Sequence, residues 1–291
     1  MNNHLVELAR PHQWVKNGFV LVGTVFAHAW GFEDFKVAII AFFAFSFVSS
    51  AVYIINDMLD LSADRAHPLK CNRPIASGRV SIAKAAVLAA ALLALAFCLA
   101  CSIGLWAVSL ISCYVLINVA YSVRLKHVVI LDVFIIAAGF MLRILLGTVG
   151  LDIEPSHWLL LCGLMITLFL GFSKRRSELL LLENRGRLDK KSTRQVLEDY
   201  SPVLLEQLIG ITAACTIISY ALYTVTPSTA AVHGSSDLIY TLPLVAYGVF
   251  RYLFLIHHKA KGMDTSRDIF SDFHLVASAI LWMGTVIYIL Y

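Results

Sequence analysis

The sequence predicts an all-α integral membrane fold, and three observations carry that expectation. The chain is 59% hydrophobic and only 14% charged, whereas a soluble domain carries about 25% charged residues. That much apolar surface exceeds what one water-soluble core can hide, so the bilayer is the expected solvent. Apolar runs of about 20 residues, the length a helix needs to cross hydrocarbon, recur along the whole chain. The basic residues fall almost entirely on one side of those runs.

Taken in order, the runs predict nine transmembrane helices. The first, 15–31, is short and is expected to tilt or lie partly in the interface. The second, 36–58, opens directly into a polar segment. No charged residue occurs from Ala85 to Val123, a stretch too long for one crossing, so it is expected to fold at Ser102–Gly104 into spans 82–101 and 105–123. The fifth span, 129–149, holds Asp132, Gly139 and Arg143. The last four are 156–175, 204–225, 238–257 and 273–291. The chain reads as a single transmembrane domain, 1–291, without low-complexity sequence or an evident repeat. The opening MNNHLVELARPHQWVKN lacks an apolar core with a small-residue cleavage site, so no cleaved signal peptide is expected. Cys98 and Cys101 form a CxxC, but inside an apolar helix and without a second pair, which favours packing over redox or metal chemistry.

Orientation follows from Lys and Arg. With the N-terminus in the cytoplasm, the loops at 59–81, 124–128, 176–203 and 258–272 share its side. Twenty-one of the 23 basic residues then lie on that face or at its helix ends, leaving Lys36 outside and Arg143 within a span. The outer loops hold Glu33, Asp34, Asp152, Glu154 and Asp237. This is the positive-inside pattern. The net charge of +4 matters less than this placement, and no nucleic-acid partner is expected. The inner loops also carry carboxylates, which topology does not require and which suggest chemistry on that face.

The most informative segment is YIINDMLDLSADRAHPLKCNRPIASG, 53–78. Asn56, Asp60 and Asp64 are spaced i, i+4, i+8, with Asp57 one step on, so all four share an arc of about 100° on a helix. Three carboxylates on one face repel unless a cation lies between them. Oxygen ligands of this kind suit Mg²⁺, which takes one or two carboxylates and completes its shell with water and substrate phosphates. Lys70 and Arg73 lie downstream in reach of the same phosphates. A solvated helix end with surface ion pairs is the plain alternative. The direct emergence of the acidic face from an apolar span, and the flanking Arg-Pro and Ser-Gly pairs, favour the metal site. His67, before Pro68, is read as shaping the loop.

At these residues the chain resembles the UbiA-type superfamily of intramembrane prenyltransferases, whose NDxxDxxxD motif is matched by Asn56, Asp57, Asp60 and Asp64. The resemblance implies nine helices around a central cavity, capped on the cytoplasmic side by polar loops. RPHQWVKN (10–17), NDMLDLSADRAHPLKCNRPIASG (56–78), YSVRLKHVVILD (121–132), GFMLR (139–143), GFSKRRSELLLL (171–182) and RYLFLI (251–256) resemble one branch, the decaprenyl-phosphate phosphoribosyltransferases. That branch moves 5-phosphoribose from phosphoribosyl pyrophosphate to a polyprenyl phosphate and releases diphosphate. One departure from the ordinary family pattern agrees with it. A second Asp-rich motif is expected in the loop after the sixth helix, and here Ser173, Lys174, Arg175, Arg176, Ser177 and Glu178 stand there instead.

What the resemblance implies about sites is specific. Asn56, Asp60 and Asp64 would hold Mg²⁺, with Asp57 a further candidate. Asp60, Asp64 and Lys174 would be catalytic. Lys70, Arg73, Lys174 and Arg175 would hold the diphosphate and 5-phosphate, Tyr121 and Lys126 would contact a phosphate, and Glu178 would orient Lys174 or bind ribose hydroxyls. Lys16 would meet the lipid phosphate at the membrane surface. The enzyme would sit in a bacterial inner membrane with its active site cytoplasmic, and a homo-oligomer stays open.

Three segments weigh evenly or toward structure. Asp132, Gly139 and Arg143 share one helix face at offsets of 7 and 11, either lining a cavity with Arg143 on substrate or pairing Arg143 with helix-end carbonyls. Asp264, Asp268 and Asp272 repeat the i, i+4, i+8 spacing without the Asn or the Arg-Pro loop, which favours a structural role. The basic run from Arg185 to Arg194 reads as a headgroup-facing loop. Two other functions compete: an ordinary prenyltransferase acting on an aromatic acceptor, and a lipid transporter or flippase. Charges clustered at one mouth, without paired Gly/Pro breaks in the two halves, count against transport.

Overall fold

A computed structural model of the chain describes residues 3–26, 31–66, 70–149, 154–184, 197, 199–233, 235–258 and 271–290. His67, Pro68, the basic run 185–194, Asp264 and Asp268 lie outside the described residues. The regular elements among the described residues are all helices, without strands. Seven of their helices are long and apolar enough to cross a membrane. The chain divides into two compact units, one built on residues 1–154 and the other on 155–188 and 196–291.

The first unit begins with α1 (Asn3–Ala9), a ten-residue 3₁₀ segment (Pro11–Val20) and α2 (Leu21–Phe26). The expected first span is therefore two short pieces of different winding. The reason is tertiary: Trp14 Nε1 donates to Ser50 Oγ at 2.9 Å and Asn17 Nδ2 to Ser46 Oγ at 3.0 Å, so this segment is wound to match a neighbouring helix. That neighbour is α3 (Phe32–Leu59), followed by the short α4 (Leu61–Ala66). Next come α5 (Ile82–Ile103), α6 (Leu105–Val123) and α7 (Leu131–Leu146). The expected break between α5 and α6 is present at Gly104, whose φ of +148° is open to glycine and not to other residues. Ser81 caps α5 by accepting the Lys84 amide.

Small residues bring these helices together. Ala38, Ala41, Ala44, Ser46, Ser49, Ser50 and Ala51 are buried on α3, as are Ala85, Ala89, Ala96 and Ala100 on α5, and α3 packs on α5 and α6. Small side chains let helix backbones approach closely where lipid provides no hydrophobic drive. Phe45 fills the same core against Tyr114, while Phe43 remains exposed. Cys98 and Cys101 do not pack inside this core; both are exposed on the outer surface of α5. The CxxC spacing places them on a face that the alanine stripe leaves outward.

The second unit holds α8 (His157–Asn184), α9 (Pro202–Val225), α10 (Pro227–His233), α11 (Leu242–His258) and α12 (Phe273–Leu290), with a 3₁₀ turn Asp237–Thr241 leading into α11. α8 packs along α9, and α11 along α12. The sixth span runs nine residues past its expected end at 175, so Lys174, Arg175 and Glu178 lie on a helix and not in a loop. Lys, Arg, Glu and Leu are strong helix formers, and neither Gly nor Pro interrupts SKRRSELLLLEN. Asp272 has structural partners, in line with the missing Asn and Arg-Pro loop and against its metal-like spacing: Oδ1 accepts the Leu275 amide at 3.2 Å to cap α12, and both oxygens bond Arg251.

Candidate active site

α3 ends in its own electrostatic problem. Asp57 and Asp60 sit where the helix dipole is negative, which disfavours carboxylates. Asp57 and Asp64 are also buried, at 2% and 3% exposure. Buried carboxylates persist only when paired and hydrogen-bonded, and the first unit supplies three cations. Arg10 Nη2 donates to both oxygens of Asp57, at 2.8 and 2.6 Å. Arg73 Nη1 bridges Asp57 Oδ1 at 2.9 Å and Asp64 Oδ2 at 2.6 Å. Lys126 Nζ donates to Asp60 Oδ1 at 2.6 Å, and Ser122 Oγ to Asn56 Oδ1 at 2.8 Å.

Each cation is aimed by a built backbone. Arg73 opens a turn closed by hydrogen bonds from Ser77 N to Arg73 O and from Val80 N to Pro74 O. Gly78 at φ +78° makes that turn, and buried Ile75 and Val80 pin it to the core beside Leu8 and Ile54. Lys126 lies in the 3₁₀ turn Leu125–His127 after α6. Beyond it, Leu131 N bonds Val129 O across Ile130 at φ +68°, ψ −48°, the strained γ-turn that a β-branched residue rarely adopts. Arg10 itself is left-handed, at φ 52° and ψ 56°, a conformation that costs an L-residue about 1–2 kcal/mol. Its guanidinium also lies 5.2 Å from the Tyr53 ring centroid. Alongside, Arg79 bonds Glu7 at 2.8 and 3.0 Å and holds the Glu7 carboxyl below its ordinary value.

The expected site residues thus fall into groups. Asp57, Asp64 and Arg73 are joined in one network with Arg10, while Asp60–Lys126 and Asn56–Ser122 are separate pairs at the same end of α3, with Lys70 on the 3₁₀ turn Lys70–Asn72 and half-buried Tyr121 beside Ser122. Lys16 is half-buried on the 3₁₀ segment Pro11–Val20. In the second unit, buried Arg175 pairs with Glu178, the partner that had been expected for Lys174. Arg176 is tied to the Ile256 carbonyl at 3.1 Å and to Glu206 at 3.0 Å. Lys174 lies half-buried beside them on α8.

Arg143 is engaged by protein groups. At 4% exposure, it donates from Nε to Asn17 Oδ1 at 2.8 Å and from Nη1 to Gly139 O at 2.7 Å. Its guanidinium carbon lies 4.5, 5.0 and 5.3 Å from the ring centroids of Phe45, Phe140 and Tyr114. The carbonyl it binds is four residues back on its own helix, and the aromatic faces stabilise its charge. Arg10 and Ser122 were missed as site residues. Their signals were present: Arg10 is the basic residue opening RPHQWVKN, and Ser122 adjoins Tyr121.

Among the described residues no three His, Cys, Asp or Glu side chains converge on a metal-binding arrangement. The donor chemistry still fits Mg²⁺. Asp60 and Asp64, with the Asn56 amide, offer hard oxygens, and one or two carboxylates suffice when substrate phosphates complete the shell.

Known proteins bear on this geometry. The UbiA prenyltransferase family profile matches residues 18–275. Decaprenyl-phosphate phosphoribosyltransferase from Corynebacterium glutamicum is 37% identical over 224 residues, 75% of this chain and 66% of that protein. The protein of that name from Mycolicibacterium smegmatis is 35% identical, covering 75% of this chain and 69% of its own length. A UbiA homologue from Archaeoglobus fulgidus, solved with GPP and Mg²⁺, superposes with a TM-score of 0.71 at 18% identity, covering 99% of this chain and 98% of that one. The chain is therefore a multi-pass membrane enzyme with the all-helical UbiA fold, and it belongs to the UbiA prenyltransferase family.

Proposed function

We propose that this chain transfers 5-phosphoribose from phosphoribosyl pyrophosphate to a polyprenyl phosphate, releasing diphosphate in a Mg²⁺-dependent reaction. The observation that carries the reading is the replacement of a second acidic motif by Ser173–Glu178, with Lys174, Arg175 and Arg176 where an ordinary prenyltransferase needs carboxylates. A donor with an additional 5-phosphate calls for cations there. The names of the 35–37% identical relatives agree.

In this reading Asp60, Asp64 and Asn56 hold Mg²⁺, which would neutralise the departing diphosphate when bound. Arg73, Lys70 and Lys126 grip diphosphate oxygens, and the sequence resemblance assigns Lys174 and Arg175 to the 5-phosphate. Asp57, with both oxygens already engaged by guanidinium groups, is assigned no metal. As the C1–oxygen bond breaks, positive charge develops on the sugar and negative charge on the diphosphate, and preorganised cations stabilise the latter. The acceptor phosphate, with a second pKa near 6, is already anionic at neutral pH and needs no strong base. Tyr121 contacts a phosphate, and Lys16 meets the lipid phosphate at the membrane surface.

The whole chain acts as one transmembrane domain in the bacterial inner membrane with this face cytoplasmic. Nine crossings are retained. The 3₁₀ segment and α2 together rise about 29 Å, close to the hydrocarbon thickness of about 30 Å, and the 16-residue α7 rises about 24 Å.

The test is an assay of purified protein with labelled phosphoribosyl pyrophosphate and polyprenyl phosphate. We expect a ribosylated lipid, and at least a hundredfold slower formation by Asp60→Asn, a barrier increase of about 2.7 kcal/mol. Turnover of a prenyl diphosphate with no ribosylated lipid would assign aromatic prenylation instead. Lipid transport without chemical change would point to a flippase.

A further inference from the structure

We propose that Arg10 is a positioning residue whose task is to free Arg73 for substrate. The inference rests on the reading that the acidic end of α3 receives a diphosphate. Three carboxylates, Asp57, Asp60 and Asp64, here face three cations, Arg10, Arg73 and Lys126. Arg73 is the shared member: one nitrogen, Nη1, serves both Asp57 and Asp64. Nη2 and Nε remain as donors, but turning the planar guanidinium to aim its fork at a phosphate draws Nη1 away from at least one of them. Asp57, at 2% exposure, would then be a buried charge in need of a partner, and stranding a buried charge is strongly unfavourable. Arg10 removes that obstacle because its Nη2 already contacts both Asp57 oxygens. With Arg10 present, Arg73 can turn toward substrate while Asp57 stays paired. Without it, Asp57 competes with the diphosphate for Arg73.

The surroundings of Arg10 fit a residue held for this purpose. Its left-handed backbone, directly before Pro11, is a conformation that the surroundings must impose. They do so along one face of α3. Asn17 is bonded to Ser46, Trp14 to Ser50, the Ala9 carbonyl accepts Ser50 Oγ at 2.7 Å, and Arg10 lies over Tyr53 before reaching Asp57. Positions 46, 50, 53 and 57 recur at helical spacing, so α3 carries one continuous seam that fixes the N-terminal segment and ends at the carboxylate it serves. On the N-terminal side of Arg10, α1 is anchored by buried Leu8 and the Arg79–Glu7 pair.

The experiment is a double-mutant cycle read by calorimetric binding of inorganic pyrophosphate with Mg²⁺ to the full-length protein in detergent. Arg10→Gly suits the left-handed backbone, so it removes the guanidinium without adding strain. Thermal unfolding checks its fold, and Arg10→Gln replaces it if it does not fold. We expect the Arg10 variant to bind pyrophosphate at least tenfold more weakly than wild type. Adding Asp57→Asn, which removes the competing charge, should restore binding to within threefold of Asp57→Asn alone. An Arg10 variant that binds like wild type overturns the proposal. So does a double variant no better than the single one, because Arg10 would then not act through Asp57. Wild type that binds pyrophosphate yet makes no ribosylated lipid sinks only the reaction assigned above. Wild type that binds none sinks both.

Discussion

Asp57, Asp60 and Asp64 show what residue spacing can and cannot disclose. Their shared helix face was legible because it depends only on 3.6 residues per turn. Their partners were not, because Arg10 and Lys126 reach them from sequence distances of 47 and 66 residues. The spacing argument required a cation between the carboxylates and looked to a metal for it; in the structure, guanidinium and ammonium groups fill that need first. Arg143 makes the same point within a span. Its cost in the bilayer was foreseeable, while the Asn17 amide and the Phe45 and Tyr114 rings that meet it come from other segments. Arg143→Lys keeps the charge but loses the planar fork and the Nε–H bond. We expect it to destabilise the protein by about 1.5–3 kcal/mol, the worth of a hydrogen bond to a charged group, with an unchanged substrate KM. A raised KM with unaltered unfolding in detergent would instead make Arg143 a substrate contact.

At the scale of elements, the long spans were legible and the short ones were not. α5 and α6 end close to their expected limits because uncharged stretches and Gly104 leave few choices. The winding of the first span was hidden because hydropathy records whether a segment can be buried, not how it winds. Its 3₁₀ form depends on Ser46 and Ser50, which belong to another helix. The sixth helix was ended too early because charge was taken to mark a loop, although charged residues continue a helix readily. Close approach of elements is a further property hidden from sequence. A Cβ on Gly147 would lie 1.6 Å from the Val20 carbonyl oxygen, and one on Gly23 would lie 2.4 Å from the Gly147 carbonyl oxygen. Both obstacles are backbone and cannot rotate away, so α2 and the end of α7 meet through bare glycine. Gly147→Ala should therefore cost about 1–3 kcal/mol, as overpacking does. Gly210→Ala, with nothing within 4 Å of its new methyl, should be neutral or stabilise by up to about 1 kcal/mol. Equal unfolding midpoints for the two variants would refute the backbone contact.

For the whole molecule, the solvent decides what counts as a core. α5, α6 and α12 bury only 22% of their apolar windows within the protein, against 61% for α3. Large side chains such as Val87, Leu95, Leu116, Ile280 and Leu281 stand exposed on them. In water this surface would aggregate; in a bilayer it is the surface the lipid covers. α3 is the exception because it is wrapped by the N-terminal segment, α5 and α6, and it also links the two chemical faces. It starts with Glu33 and Asp34, where Lys36 pairs with Glu33 at 3.1 Å, and ends at the Asp57 cluster with its three cations. Crossing direction therefore follows from this one helix: the cation-rich end should be cytoplasmic, since positive loops resist translocation. Exposed Phe32 marks the far end and exposed Ser77 the near loop. In a background with the six native cysteines replaced, a membrane-impermeant maleimide should label Phe32→Cys on intact spheroplasts. Ser77→Cys should react only after permeabilisation, and labelling of Ser77→Cys on intact spheroplasts would reverse the orientation and with it the cytoplasmic placement of the acidic cluster.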